Sequence, residues 1–232
     1  MTKDIILLSG GAAHGIVAKL LPAFQSETGH LVQGTFGAVG AMLERARSGA
    51  PVDMLILTRP IIDALVQSGE VLADSVQDLG TVRTAIAVRT GDAVPDVATP
   101  DALKAALLAA DEIYFPDPAL ATAGIHFAKV MDSLGITAQK TAAFRPHPNG
   151  ATAMRAMAAS AARAPIGCTQ VTEIIITQGA SLVAPLPDDL GLATVYTAAV
   201  VSGAENAAAA ADFIAKLCAA DAAQLRQDAG FE

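Results

Sequence analysis

Residues Ile5–Leu8 read as a strand that breaks at Ser9-Gly10-Gly11 and passes straight into a helical pattern at Ala12, Ala13 and His14. A strand feeding a helix through two glycines brings bare backbone N–H groups and a helix N-terminus to one point. Such a point attracts anions. The helix carries Ile16, Val17, Leu20, Leu21 and Phe24 at a 3.6-residue spacing, a stripe made for burial. Two readings stay open here: a docking point for an anionic small molecule, or a tight turn that needs glycine for steric reasons.

The same alternation of strand and helix signals continues to the end of the chain, which predicts an α/β fold with parallel sheets covered by helices. Strands are predicted at Leu31–Thr35, Val52–Leu57, Thr81–Val88, Glu112–Phe115, Pro165–Thr169, Leu182–Pro185 and Val195–Val201. Helices are predicted at Ile61–Ser68, from Pro100 to Leu108, at Thr122–Leu134 and Ala151–Ala162, and as one long alanine-rich run over Ala207–Leu225. Arg145-Pro146-His147-Pro148-Asn149-Gly150 reads as a turn.

At 232 residues the chain is long enough for one large or two small domains. With 53% apolar residues, 4% aromatics and no tryptophan, its core must be aliphatic and alanine-rich. A formal charge of -8 argues against nucleic acid or an anionic membrane surface as partner, but not against a small anion held by local groups in a cleft. No apolar run reaches the roughly 18–20 residues that span a bilayer. Cys168 and Cys218 lie in unrelated contexts with no metal or redox spacing, although a disulfide between them stays open. Lys3 before an apolar stretch imitates a secretory leader, yet Asp4, Ser9, the glycines and His14 interrupt it early. The chain as written reads as cytoplasmic, or as periplasmic if an export signal has been removed.

Several stretches carry a resemblance: Ala23-Phe24-Gln25-Ser26-Glu27-Thr28-Gly29, then Thr35-Phe36-Gly37-Ala38-Val39-Gly40-Ala41, then Ser48-Gly49-Ala50-Pro51-Val52-Asp53. Asp117-Pro118-Ala119 with Ala123-Gly124, and Ala211-Asp212-Phe213 with a closing Gly230-Phe231, continue it. In this order they resemble the periplasmic molybdate-binding proteins, a branch of the type II periplasmic-binding-protein fold, over nearly the whole chain. The resemblance implies two α/β lobes, each a mostly parallel sheet flanked by helices. Lobe one would be 1–80 plus 197–232 and lobe two 81–196. Crossing hinge segments are expected near Gly80–Thr84 and Ala193–Thr197, with closure around a ligand.

Departures from that family matter as much as the match. Its oxyanion is held in part by serine hydroxyls at the first two strand-to-helix turns, where this chain has Ala12 and either Ala38 or Val39. A tyrosine expected near Cys168 or Thr169 is missing too. At roughly 1–3 kcal/mol for each unmet polar contact, those losses argue against molybdate.

Ligands of open α/β sheets sit beyond the carboxyl ends of strands. The residues expected there are Ser9, Gly10, Gly11, Ala12 and His14; Thr35, Ala38 and Val39; Thr58 and Arg59; Arg83; Pro118 and Thr122; Arg145, His147, Asn149 and Thr152; and Thr169 with Gln170. Arg59, Arg83 and Arg145 suit carboxylates, because guanidinium matches a carboxylate in a bidentate fork, although each taken alone also reads as a surface charge. His14 lies where the positive end of a helix dipole disfavours imidazolium, so it reads as a general base, or as a passive polar contact. His147 between two prolines is the second acid/base candidate, or an exposed loop residue. His126 reads as a satisfied half-buried histidine and His30 as a favourable charge at a helix end.

Two function classes follow. Some proteins similar to the molybdate-binding family interconvert cis- and trans-aconitate, which implies an allylic proton shift needing no metal and no organic cofactor. The other class is the receptor of an ABC importer, handing an oxyanion or organic acid to a membrane permease. That fits the fold's common use, and fold alone confers no catalysis.

Overall fold

The computed structural model describes residues 4–232; Lys3, which enters the leader reading, lies outside them. In chain order the strands are β1 (Ile5–Gly10), β2 (Val32–Gly37), β3 (Met54–Thr58), β4 (Gln77–Arg89), β5 (Glu112–Pro116), β6 (Phe144–His147), β7 (Pro165–Gln170), β8 (Ala180–Pro185) and β9 (Ala193–Val200). The helices are α1 (His14–Thr28), α2 (Val39–Arg47), α3 (Arg59–Gln67), α4 (Pro100–Ala109), α5 (Thr122–Ser133), α6 (Thr137–Lys140), α7 (Gly150–Ala158), α8 (Val171–Ile175), α9 (Ala207–Cys218) and α10 (Ala223–Asp228). Among these residues no helix is long and apolar enough to cross a membrane.

Two compact units share the chain. One comprises the chain up to Val82 together with Thr194–Glu232, and the other is Arg83–Ala193. β4 contributes its first residues to one unit and the rest to the other.

In the first unit β1 pairs in parallel with both β2 and β3, while β9 runs antiparallel against β3. Met54–Thr58 is buried along its whole length, as expected for a strand covered on both faces. α1 presents Ile16, Val17, Leu20 and Phe24 to the core, where Phe24 meets Phe213 of α9 at 4.8 Å between ring centroids.

In the second unit β5 pairs in parallel with β6 and β7, and β4 runs antiparallel to β7 and β8. Successive side chains of β5 alternate between faces, as a strand requires. Ile113 and Phe115 pack with Leu103 and Leu107 of α4 and Phe127, Val130 and Met131 of α5. Tyr114 faces the opposite layer of Ala153, Met154 and Met157 from α7 and Ile174 from α8.

Three expectations change. The turn predicted from Arg145 is strand β6 up to His147; Pro146, which has no N–H, is tolerated because β6 is an edge strand. The strand expected at Thr81–Val88 begins four residues earlier, at Gln77. The single helix expected over Ala207–Leu225 is broken at Ala219, whose extended backbone (φ -58, ψ 152) cannot continue a helix. Arg226 from α10 fills the break by donating to the carbonyls of Leu217 and Ala219, both at 2.8 Å. Both cysteines are free thiols, so no disulfide joins them.

Candidate functional site

At the carboxyl end of β1 the chain makes a single turn of 3-10 helix, Gly11–Ala13, before α1 begins at His14. Neither this turn nor α2, whose N-cap is Ala38, has a side-chain cap. Main-chain N–H groups at these starts therefore have no side-chain acceptor, the arrangement that favours anions. Ala12, Ala38 and Val39 are buried and apolar, so any ligand here meets amides instead of hydroxyls. Ser9 offers nothing, because its buried hydroxyl donates to the Gly10 carbonyl at 2.8 Å.

Glycine at position 10 has a steric reason. A Cβ there would lie 2.9 Å from Tyr196 Cε1 and 3.0 Å from Val39 Cγ2. The β1 turn, the first residue of α2 and a tyrosine of β9 thus converge. Tyr196, only 2% exposed and opposite Thr58 in the β3–β9 ladder, was hidden in a segment read as a crossing. His14 is exposed and its ring stacks on Phe36 of β2, with centroids 4.4 Å apart and planes 27° apart. Thr35, the neighbour of Phe36, is half-buried.

Arg59 opens α3 after Thr58, but its guanidinium is already engaged. Nε donates to Asp63 at 2.7 Å and Nη1 to Asp78 at 3.3 Å, and Asp78 also accepts from Thr197. These carboxylates, Asp63 first, raise the guanidinium pKa above its ordinary value.

In the second unit Thr122 begins α5, another helix without a side-chain cap. Gln170, closing β7, is 2% exposed, and neither end of its carboxamide has a hydrogen-bond partner among the described residues. Its cross-strand neighbour Thr84 is likewise buried with an unpartnered hydroxyl. Buried polar groups are rarely left so in native folds.

α7 is the opposite case. Asn149 accepts from the Thr152 amide at 2.9 Å, and the amides of Gly150 and Ala151 are placed to favour the charged form of the buried Glu173. Asn149 and Thr152 are therefore spent on the helix itself, and the Thr152 hydroxyl accepts from Arg155. Thr169 is committed as well, donating to Glu173 at 2.6 Å. No short-range pattern in the sequence announced Glu173.

His147 is half-buried beside Tyr114, with ring centroids 5.9 Å apart, and burial lowers its pKa below the ordinary histidine value. Arg145 is held within its own unit. It stands opposite Tyr114, and its guanidinium turns back to Glu112 at the amino end of β5 (3.0 Å) and to the carbonyls of Ala142 and Phe144. It therefore leaves the carboxyl ends where ligands bind. Arg83 stands 3.8 Å from Asp188, a loose contact. The guanidinium groups of Arg145 and Arg59 are thus both engaged by carboxylates of the chain itself. His126 meets the Leu190 carbonyl at 2.8 Å, which accounts for its burial.

Among the described residues, no three His, Cys, Asp or Glu side chains are grouped so as to hold a metal ion. A groove of about 460 Å³ in the first unit lies at the amino ends of β1 and β3, where Asp4, Asp53 and Glu205 make it unsuited to an anion.

Residues 5–232 match the family model described as bacterial extracellular solute-binding protein. An aconitate isomerase from a Pseudomonas species is 29% identical over 237 residues, covering 98% of this chain and 87% of the relative. The periplasmic molybdate-binding protein of Azotobacter vinelandii superposes with a TM-score of 0.80 at 18% identity, covering 98% of both chains. The sulfate-binding protein SubI of Mycobacterium tuberculosis gives 0.78 at 20% identity, covering 100% of this chain and 86% of the other.

Proposed function

This chain belongs to the bacterial extracellular solute-binding proteins, and we propose that within that fold it binds a small di- or tricarboxylate and isomerises it, interconverting cis- and trans-aconitate by an allylic proton shift. The observation that carries this reading is His14, a titratable base immediately after a glycine turn whose main-chain donors have no side-chain cap. The 29% identity to an aconitate isomerase along nearly the whole chain supports it.

In this reading the amides at the starts of α1 and α2 take the carboxylates. His14 removes a proton from the methylene alpha to a carboxylate. The electron pair left behind spreads through the adjacent double bond, which migrates as the far carbon takes a proton. One C–H bond breaks and one forms, so no oxidant, metal or organic cofactor enters. Main-chain donors offset the dienolate charge as it develops. His14, once protonated, returns the proton; His147 suits the acid role less well, since its surroundings disfavour the charged form.

The family and the molybdate- and sulfate-binding neighbours favour a second reading, a receptor that delivers an anion to an ABC permease from outside the cytoplasmic membrane. Apolar Ala12, Ala38 and Val39 then point to an organic acid as cargo. Turnover separates the two. A proton NMR time course with cis-aconitate should show conversion by the wild type and loss of turnover with binding retained in His14→Ala. Tight binding of aconitate without conversion would leave the receptor.

A further inference from the structure

Glu173 is 5% exposed and lies inside the second unit, yet among the described residues it meets no cation. The Thr169 hydroxyl donates to its carboxylate at 2.6 Å, and the main-chain amides of Gly150, Ala151 and Gln170 are placed to favour its charged form. These are the donors of a small anion pocket: two amides at the start of α7, one at the start of α8, and a buried alcohol. The space is filled to the limit, because a Cβ on Gly150 would fall 2.0 Å from both Glu173 Oε2 and Thr169 Oγ1. Asn149 takes the next amide of α7, from Thr152. The first three donors of this helix are therefore closed to any ligand from within.

We propose that Glu173 is a positioning residue: a tethered carboxylate that occupies the anion pocket between α7 and α8 and thereby fixes the Gly150–Thr152 turn and the turn at Gln170 that opens α8. Gln170 is the point of leverage. Its amide faces Glu173, and its carboxamide has no hydrogen-bond partner among the described residues. Burial raises the Glu173 pKa, while the Thr169 hydroxyl and the main-chain amides of Ala151, Gln170 and Gly150 act to keep the anion. The link to turnover rests on the isomerase reading; the ordering of the two helix starts does not.

Removing a tethered anion leaves a hole that a free one can fill. In Glu173→Ala, amide hydrogen exchange at Gly150, Ala151 and Gln170 in the ligand-free protein should speed up at least tenfold, with amides of α4 unchanged. Sodium formate at tens of millimolar should slow it again. With aconitate, kcat/KM should fall at least tenfold and recover several-fold on adding formate, which leaves the wild type unaffected. Glu173→Gln keeps the volume but loses an acceptor oxygen, so the same three amides should exchange faster with no response to formate. Unchanged exchange at those amides in either variant would overturn the proposal, and so would faster exchange in folded Glu173→Ala that formate cannot reverse. If Glu173→Ala does not fold, exchange in Glu173→Gln decides. Absence of turnover by the wild type would defeat the isomerase reading alone, because the exchange arm needs no substrate.

Discussion

His14 lies with its imidazole stacked on Phe36, ring centroids 4.4 Å apart, so the first residue of α1 is aimed by a residue of β2. Aromatic pairs of this kind contribute about 0.5–1.5 kcal/mol. Phe36→Ala should therefore lower kcat by roughly threefold to tenfold, with a smaller effect on KM, since the base loses its orientation but stays present. Steady-state kinetics beside His14→Ala check this; an unchanged kcat would mean that the stack does not aim the base.

Gln170→Leu separates binding from stability. Replacing a buried, unpartnered carboxamide by an apolar group of similar size should leave Tm unchanged or raise it. Affinity for aconitate, measured by calorimetry, should fall tenfold or more. A lower Tm with unchanged affinity would place Gln170 in the core alone.

Arg145→Met should cost about 1 kcal/mol of stability, as a partly exposed pair with Glu112 implies, and leave ligand affinity within twofold. Hydrogen bonds from Tyr114 first, then Ser160 and Arg145, hold the Glu112 pKa below its ordinary value. A depressed carboxyl contributes stability that is present above the unfolded value, about 4.3, and lost as pH falls through the folded one. Urea titrations of the wild type between pH 6 and pH 3 should show that loss, and Glu112→Gln should reduce it.

His147 acts in a neighbouring window through burial. Its folded pKa is below the unfolded value of about 6.5, so on acidification the unfolded chain takes up the proton first. Stability should decline as pH drops below about 6.5 toward the folded value. His147→Gln should flatten the curve there, measured as Tm against pH.

The glycine turn after β1 was legible because two physical requirements coincide on two residues. Amide exposure and the close approach of Tyr196 both need Gly10, and the stripe from Ile16 to Phe24 fixes the helix that follows. Local pattern also placed β5 and β7, short apolar runs bounded by turns. It failed where distant partners decide. Arg145 reads as a strand-end cation, and only the β5–β6 register brings Glu112 within reach to turn it away. Phe36 and Tyr196 matter through contacts across strands, which spacing along the chain does not encode. Glu173 was invisible for the same reason: its hydrogen-bond donors come from a helix start more than twenty residues earlier as well as from its own turn. The alanine run toward Leu225 has uniformly high helix propensity, so the break at Ala219 is a tertiary effect.

Deuterium incorporation tests the proposed chemistry most directly. With cis-aconitate and wild-type protein in heavy water, proton NMR should show trans-aconitate accumulating with deuterium at the carbon that gains the proton, because the exposed His14 exchanges the proton it removed with solvent before returning one, and His14→Ala should abolish both signals. A wild-type protein that binds aconitate tightly in the same tube, yet yields neither isomer nor label, would contradict the account.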